Sequence, residues 1–195
     1  GGHLGFKTDD LQNQDHNLEH LVDEVVKVTH EMKAKYNKDI PVIAAGGIYT
    51  GDDMLGIMSH GASAVQLGTR FVATEECDAS PAFKDAFVQA GSQDVRIIKS
   101  PVGLPGRTIT NSFLNEADQG KRKPTACKYR CIRSCNPKTT SYCIADALVA
   151  AYQGNLNNGF AFTGTNVGQI KGISTVDKVF TELQDEYQAA LKKQQ

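Results

Sequence analysis

The sequence contains no tryptophan, few aromatic residues and almost no net charge. Aromatic residues make up 7% of the 195 positions, and the formal net charge is -1. Because proteins that attract nucleic acids through a basic field carry a clear surplus of lysine and arginine, this balance argues against a nucleic-acid partner. No apolar run approaches the roughly 20 residues of a membrane-spanning helix. Hydrophobic residues, at 40%, are still sufficient for the buried core of a domain.

The sequence also lacks a signal peptide and a starting methionine. Gly1-Gly2-His3 is followed by neither the basic start nor the apolar core of a secretory signal. We therefore expect a cytoplasmic protein with reduced thiols. Because residues 1–5 have the composition of an internal loop, we also expect the natural polypeptide to continue upstream.

The five cysteines occur in none of the common metal-binding spacings. Cys127, Cys131 and Cys135 are spaced by four residues, and Cys143 follows eight residues later. A helix over residues 127–135 would place three thiols on one face, where they could ligate a metal or an iron–sulfur cluster. The usual zinc and ferredoxin motifs contain C-x2-C, which is absent. Because cysteine is often buried, we favour structural packing over metal binding or redox chemistry, and we predict no metal.

The first half of the chain alternates between helical and strand patterns. Helical periodicity, caps and short apolar runs predict a helix from Asn17 to Tyr36, a strand from Pro41 to Ile48, a helix capped by Thr50 or Asp52 and ending near His60, a strand from Ala62 to Leu67, and a helix from Ser80-Pro81 to near Gly91. The near-continuous hydrophobicity of the first strand indicates burial on both faces. Because only one helix fits between the two strands, we predict parallel α/β architecture.

The pattern changes after Gly91. The sequence predicts a strand from Asp94 to Lys99, a Gly/Pro loop from Pro101 to Arg107, a basic linker from Lys121 to Pro124, and helices from about Tyr142 to Gln153 and from Ser174 to about Lys192. Composition assigns no chemistry to this half.

The most informative local signal is the pair of glycine-containing strand ends. The first strand ends in Gly46-Gly47 and the second in Gly68-Thr69. Glycine at the carboxyl end of a parallel strand allows close backbone approach to a ligand, and a following helix presents free N–H groups that suit a phosphate. Successive units of this kind build the phosphate site of many (β/α)8 barrels. The alternative is that these glycines only make tight turns.

Three further side chains are candidates for chemistry. His3 lies between glycines in an open loop and could transfer protons, or it could be a surface residue. Gln66 is polar within an apolar strand and could bind a ligand ring, or it could be a satisfied interior amide. Arg70 could support a phosphate, or it could pair with Glu75 or Glu76.

Three segments together carry a family resemblance. The Gly1–Gly5 loop, the run PVIAAGGI ending at Ile48 and the run VQLGTRF ending at Phe71 resemble the nitronate monooxygenase family, formerly called 2-nitropropane dioxygenases. The related FMN-dependent enoyl-ACP reductases share all three. The segments Leu104–Asn111 and Cys127–Ala145 also look like the C-terminal part of bacterial members. The resemblance therefore covers nearly the whole chain.

The resemblance implies an FMN-containing TIM barrel with a smaller substrate domain. Residues 1–92 would be the C-terminal part of the barrel, and residues 93–195 the smaller region packing back on it. Only the end of one strand and two complete strands are present, which cannot close an eight-stranded barrel. We therefore expect the N-terminal half of the barrel to be missing, and the isolated chain to fold poorly or to rely on that segment.

The resemblance also implies the site. His3 would be the catalytic residue, and the residues in contact with FMN would be Gly1, Gly2, Gly46, Gly47, Gln66, Leu67, Gly68 and Thr69. The implied reaction is oxidation of an alkyl nitronate or nitroalkane by O2 to a carbonyl compound and nitrite. In this reaction His3 would steady the anionic nitro group or take the α-proton. Oligomeric state stays open, with a homodimer as one option.

Two other functions are weighed beside this one. The first is an enoyl-ACP reductase that uses NAD(P)H, for which Lys121-Arg122-Lys123 is the only candidate patch for docking an acidic carrier protein. The second is a flavin- or phosphate-binding module without catalysis. Neither composition nor spacing decides between them.

Overall fold

The structure is a computed structural model that describes residues 2–10, 16–124, 126–133 and 135–194. Its helices are α1 (Leu18–Tyr36), α2 (Gly51–Ser59), α3 (Thr69–Val72), α4 (Pro81–Gln89), α5 (Ser112–Asp118), α6 (Ile144–Tyr152) and α7 (Val176–Lys193), and its strands are β1 (Ile43–Ala45), β2 (Ala64–Gln66), β3 (Val95–Lys99) and β4 (Pro105–Ile109). The predicted FMN contact Gly1 lies outside the described residues. No helix within the described ranges is both long and apolar enough to cross a membrane.

The first half of the chain contains a parallel β–α–β unit. Strands β1 and β2 pair in parallel, with Ile43 opposite Ala64 and Ala45 opposite Gln66, and α2 connects them. Thr50 and Asp53 form a reciprocal capping box at the start of α2. The predicted parallel α/β architecture is therefore confirmed for this part of the chain.

The two parallel strands are shorter than the sequence predicted, and the first is less buried. In β1 only Ala44 is buried, at 3% exposure, whereas Ile43 is 62% exposed. The buried face packs on α1 and α2 through a cluster that includes Val22 and Ile57. Burial on both faces is wrong for the described chain, because its residues cover only one face of the pair.

The second half of the chain contains an antiparallel sheet. Strands β3 and β4 pair with Val95 opposite Ile109 and Lys99 opposite Pro105. The predicted loop over residues 101–107 is wrong for its last three residues, which belong to β4. The reversal is tighter than predicted: Gly103, at φ 94°, donates its N–H to the Ser100 carbonyl at 3.0 Å, and the strand then resumes.

Helix α5 was not predicted from the sequence. Asn111 caps it, because the Asn111 Oδ1 accepts a hydrogen bond from the Leu114 N–H at 3.0 Å. The Asn111 amide also donates to the carbonyls of Leu156 and Gly159, at 3.1 and 2.7 Å. A helix of seven residues is too short for its periodicity to be recognised in the sequence.

The cysteine-bearing segment forms neither a helix nor a strand where the structure describes it. The helix considered for residues 127–135 is absent from the described part of that range. Cys127 and Cys131 are exposed, while Cys135 and Cys143 are half-buried. The expectation that these thiols pack in a core is therefore wrong for the first two.

Candidate active site

The two glycine-containing strand ends open into one cavity. Its volume is about 330 Å³, within the range of about 300–1,000 Å³ that small-molecule sites occupy. Seven of the residues predicted to contact FMN line it, namely Gly2, Gly46, Gly47, Gln66, Leu67, Gly68 and Thr69. The structure therefore brings residues of the N-terminal loop and of both strand ends to one place.

The backbone at the floor of this cavity has a conformation that requires glycine. Gly46 and Gly47 follow β1 with φ of 105° and 75°, which disfavours residues with a side chain. Among the described residues, no hydrogen bond uses the N–H of Gly47, Gly68 or Thr69. A Cβ atom built on Gly68 would meet nothing within 4 Å. These strand ends thus offer open N–H groups that a phosphate or another anion can approach.

The N–H groups at the start of α2 are not available to such a ligand. The Thr50 N–H donates to the Asp53 carboxylate at 2.9 Å, and the Gly51 N–H donates to the Glu186 carboxylate at 2.7 Å. The Asp53 N–H is bound by the Thr50 hydroxyl at 3.1 Å. The expectation that the helix after the first strand donates to a phosphate is wrong for the N–H groups of Thr50, Gly51 and Asp53, because side chains already accept from them.

A third wall of the cavity comes from residues 162–166, which sequence reasoning missed. The Gly164 N–H donates to the Thr69 hydroxyl at 2.8 Å, and the Asn166 amide donates to the Gly47 carbonyl at 2.7 Å. Phe162 completes this wall. The sequence signal was only a run of small residues, which gives no position in space.

His3 lies beside the cavity rather than in its lining. Its backbone pairs with Gly106 of β4, and its ring lies 4.4 Å from the Phe162 ring, centroid to centroid. The His3 Nε2 is 3.1 Å from the Ser100 Oγ. Ser100 is only 2% exposed, and its Oγ also accepts the Val102 N–H at 3.4 Å. Ser100 therefore restricts the imidazole, and nothing in the sequence linked residues 97 positions apart.

The sequence matches the model of one protein family along nearly its whole length. A family model described as nitronate monooxygenase matches residues 1–186. This chain belongs to the nitronate monooxygenase family.

Curated relatives match a shorter stretch. A probable nitronate monooxygenase of Staphylococcus aureus (strain Newman) is 40% identical over 80 residues, which are 41% of this chain and 22% of the relative. A (3aS,4S,5R,7aS)-5-hydroxy-7a-methyl-1-oxo-octahydro-1H-indene-4-carboxyl-CoA dehydrogenase of Rhodococcus jostii is 34% identical over 80 residues, or 23% of its length. The matched stretch is thus less than a quarter of either relative.

Solved structures match nearly the whole chain. FabK from Thermotoga maritima superposes with a TM-score of 0.71 and 27% identity, over 99% of this chain and 53% of FabK. Nitroalkane oxidase from Streptomyces ansochromogenes superposes with a TM-score of 0.68 and 25% identity, over 100% of this chain and 51% of that enzyme. Both are TIM-barrel enzymes, and this chain spans about half of each.

In this member of the nitronate monooxygenase family, the cavity has a neutral lining. None of the described residues that line it is charged. Arg70 points away: it donates to the Tyr49 carbonyl at 2.8 Å and to Glu182 at 2.6 Å, and it is also 3.7 Å from Glu186. Pairing with Glu75 or Glu76 is therefore wrong, because the acidic partners come from α7.

The aromatic residue at the edge of the cavity is also neutral. Burial raises the pKa of the Tyr49 phenol. The Arg70 guanidinium lies 4.9 Å from the ring centroid and opposes this effect.

The described residues offer no preformed metal site near the cavity or elsewhere. Among them, no three His, Cys, Asp or Glu side chains lie in position to hold a metal ion as they stand. Within the lining itself, the groups that can stabilise an anion are therefore backbone N–H groups and neutral polar side chains.

Proposed function

We propose that this chain is part of an FMN-dependent enzyme that oxidises alkyl nitronates or nitroalkanes with O2 to a carbonyl compound and nitrite. The observation that carries the proposal is the neutral cavity at two glycine-containing strand ends, with His3 beside it. Membership of the nitronate monooxygenase family and similarity to a nitroalkane oxidase support the same reaction.

The residues of the cavity fit FMN by their chemistry. Gly46, Gly47 and Gly68 leave the backbone accessible, and the N–H groups of Gly47, Gly68 and Thr69 suit the phosphate. Gln66 supplies an amide that can donate to or accept from a flavin ring. We propose that Gly1, Gly2 and Leu67 contact the same cofactor.

FMN would supply the redox chemistry, and the protein would orient the substrate and handle the proton. We propose that His3 takes the α-proton of a neutral nitroalkane, or holds the negative charge of a nitronate that is already deprotonated. The Ser100 hydroxyl and the Phe162 ring limit the rotation of the His3 imidazole. A fixed imidazole next to the cavity can meet a substrate in one orientation.

An FMN-dependent enoyl-ACP reductase that uses NAD(P)H is the second candidate. The superposition on FabK favours it, at a slightly higher TM-score than that on nitroalkane oxidase. The patch proposed for carrier-protein docking gives it little support, because Arg122 is engaged by Glu116 at 2.7 Å and by the Asn157 carbonyl at 2.6 Å. Its guanidinium is thus already bound within the chain.

The wider setting is part of the same proposal. We propose that residues 1–92 belong to the barrel and residues 93–195 to a smaller substrate region of a cytoplasmic enzyme, with the oligomeric state left open. The change from parallel strands to the antiparallel β3–β4 sheet supports a division near residue 92. The rest of the barrel would come from the part of the relatives' length that this chain does not cover.

The test of the proposed function is spectroscopic. We expect the protein at its natural length to carry a flavin spectrum, and this spectrum to bleach when propionate 3-nitronate is added without oxygen. NADH alone should leave it unchanged. Bleaching by NADH but not by the nitronate would establish the enoyl reductase instead, and absence of a flavin spectrum would return the glycines to the role of turn residues.

Gly68→Ala tests the backbone at the second strand end. The new methyl group would meet no protein atom, and the φ of -125° suits alanine, so we expect the fold to be unchanged. Since the methyl group would occupy the space through which a ligand approaches the N–H groups, we expect the Kd for FMN to rise about tenfold, which corresponds to about 1.4 kcal/mol. Fluorescence titration of the apoprotein with FMN measures this change.

The matched control is Gly56→Ala. Gly56 lies on α2, away from the cavity lining, and its added Cβ would also meet nothing within 4 Å. We expect this variant to bind FMN as the unmodified protein does. Equal affinity of all three proteins would contradict the assignment of Gly68.

A further inference from the structure

Four of the five cysteines line one small pocket outside the proposed active site. Cys127, Cys131, Cys135 and Cys143 all contribute to its wall, which is otherwise mainly apolar. The pocket has a volume of about 20 Å³, which is room for a species of roughly the size of one water molecule. The four thiols therefore border one small space, although no three of the described side chains lie in position to hold a metal ion as they stand.

The turn between the first two of these cysteines is already shaped around a sulfur atom. The Arg130 N–H donates to the Cys127 Sγ at 3.3 Å. Arg130 has a φ of 47°, a left-handed conformation that is unfavourable for a residue with a side chain. Such strain persists only where the surroundings impose it, and hydrogen bonds to sulfur tune and orient metal-bound thiolates.

Where it is described, the segment around these cysteines has no regular secondary structure, and polar contacts such as Arg122 with Glu116 and Tyr129 with Asp146 tie it to the rest of the chain. Between α5 and α6 the described residues form no helix or strand, and nearly all their side chains are exposed or half-buried. Tyr142, next to Cys143, is the exception and belongs to the core below. Irregular segments of this length inside a domain are uncommon unless something ties them down, and a structural metal ion does so by contributing folding energy directly.

The charge of the segment also suits a tetrathiolate. From residue 121 to residue 143 there is no acidic residue, while the basic ones are Lys121, Arg122, Lys123, Lys128, Arg130, Arg133 and Lys138. Four thiolates repel one another, so they need a bound cation in order to ionise together.

We propose that Cys127, Cys131, Cys135 and Cys143 bind one Zn²⁺ ion as a structural site that holds the segment between α5 and α6. On binding, the four thiols release four protons to solvent, and the site of Zn²⁺ and four thiolates carries a charge of -2, which the surrounding basic residues offset. The four sulfur atoms do not lie at ligand positions in the structure as it stands. Binding would draw them in to Zn–S distances of about 2.3 Å. A single ion fits the pocket better than an iron–sulfur cluster, whose core is several times larger than a water molecule.

The site is tested on the protein at its natural length, purified with its own flavin content. We expect mass-spectrometric metal analysis to find about one zinc ion per chain that gel filtration does not remove. Replacement by Co²⁺ should give the intense visible bands of tetrahedral thiolate coordination. Removal of the metal by a chelator should expose the segment around Lys128 and Arg133 to trypsin, and added Zn²⁺ should restore protection.

Two cysteine variants test whether the zinc content depends on the four pocket cysteines and not on Cys77. We expect Cys131→Ser to reduce the zinc content to background, whereas Cys77→Ser, which changes the cysteine outside the pocket, should retain it. Iron with acid-labile sulfide, disulfides among the four cysteines, or four free thiols without metal would each overturn the proposal. The metal analysis and the Co²⁺ spectrum of the unmodified protein decide even if Cys131→Ser fails to fold, and neither depends on the flavin reaction.

Discussion

Replacing His3 by alanine is expected to lower kcat/KM for a neutral nitroalkane by about 10²- to 10⁴-fold, the usual contribution of a positioned acid–base group. The His3 ring packs on Phe162, which lines the cavity, and we propose that the imidazole reaches a bound substrate from there. Because the cavity-lining residues that the structure describes include no imidazole, carboxylate or amine side chain, none of them can replace the imidazole as a base. Steady-state oxygen consumption with nitroethane measures the effect, and an unchanged flavin spectrum shows that the site is intact.

The comparison with a nitronate separates the two roles proposed for His3. A nitronate has already lost its α-proton, so the loss should be smaller if His3 is the base. Equal losses for both substrates would show that His3 acts by holding the anionic nitro group. As a control, His30→Ala changes an exposed histidine on α1 and should leave both rates unchanged. If His3→Ala behaves in the same way, the chain binds flavin without His3 in catalysis.

The hydrogen bond from Ser100 gives a second test of the same histidine. Ser100→Ala removes the partner of the His3 Nε2, and we expect a loss of kcat/KM smaller than that of His3→Ala. In the His3→Ala background the same substitution should have no further effect, because a positioning residue acts only through the group it positions. Independent, multiplying losses would assign Ser100 a separate role.

Local rules predicted the elements that depend on neighbours in sequence. Asn17, Thr50 and Ser80 each accept a hydrogen bond at the start of a helix, as their positions before apolar periodic segments indicated. Gly46 and Gly47 after the first parallel strand were found for the same reason, since a turn with positive φ has a strong residue preference. Caps and turns are encoded within a few residues, so one sequence suffices to find them.

Contacts between distant parts of the chain could not be predicted in this way. The third wall of the cavity, from Gly164 to Asn166, reaches Thr69 and Gly47 over about a hundred residues. The acidic partners of Arg70 come from α7 rather than from the neighbouring Glu75 and Glu76. Neither pairing leaves a periodic pattern, because each depends on how the C-terminal half packs back on the parallel strands.

The packing of α7 against α2 gives the strongest stability prediction. A Cβ atom built on Gly51 would lie 2.6 Å from the Leu183 carbonyl oxygen and 2.6 Å from the Glu186 Cβ, and it would also collide with the Tyr187 backbone nitrogen. Backbone atoms on the facing helix cannot move aside cheaply, so we expect Gly51→Ala to reduce the free energy of unfolding by about 3 kcal/mol. Urea unfolding of the protein at its natural length measures this difference.

For Gly56→Ala on the same helix we expect no loss of stability. Its added methyl group meets no neighbour, and alanine favours a helix over glycine by up to about 1 kcal/mol, so this variant should be equally stable or slightly more stable. Gly51 and Gly56 lie five positions apart on α2. Their replacement by alanine should change the free energy of unfolding in opposite directions, because only Gly51 faces α7. The Gly51 N–H also binds Glu186, which lies close to Arg70, so displacement of α7 should loosen the Arg70–Tyr49 contact at the edge of the cavity. A Gly51→Ala variant as stable as Gly56→Ala would contradict this packing of the C-terminal helix beside the proposed flavin site.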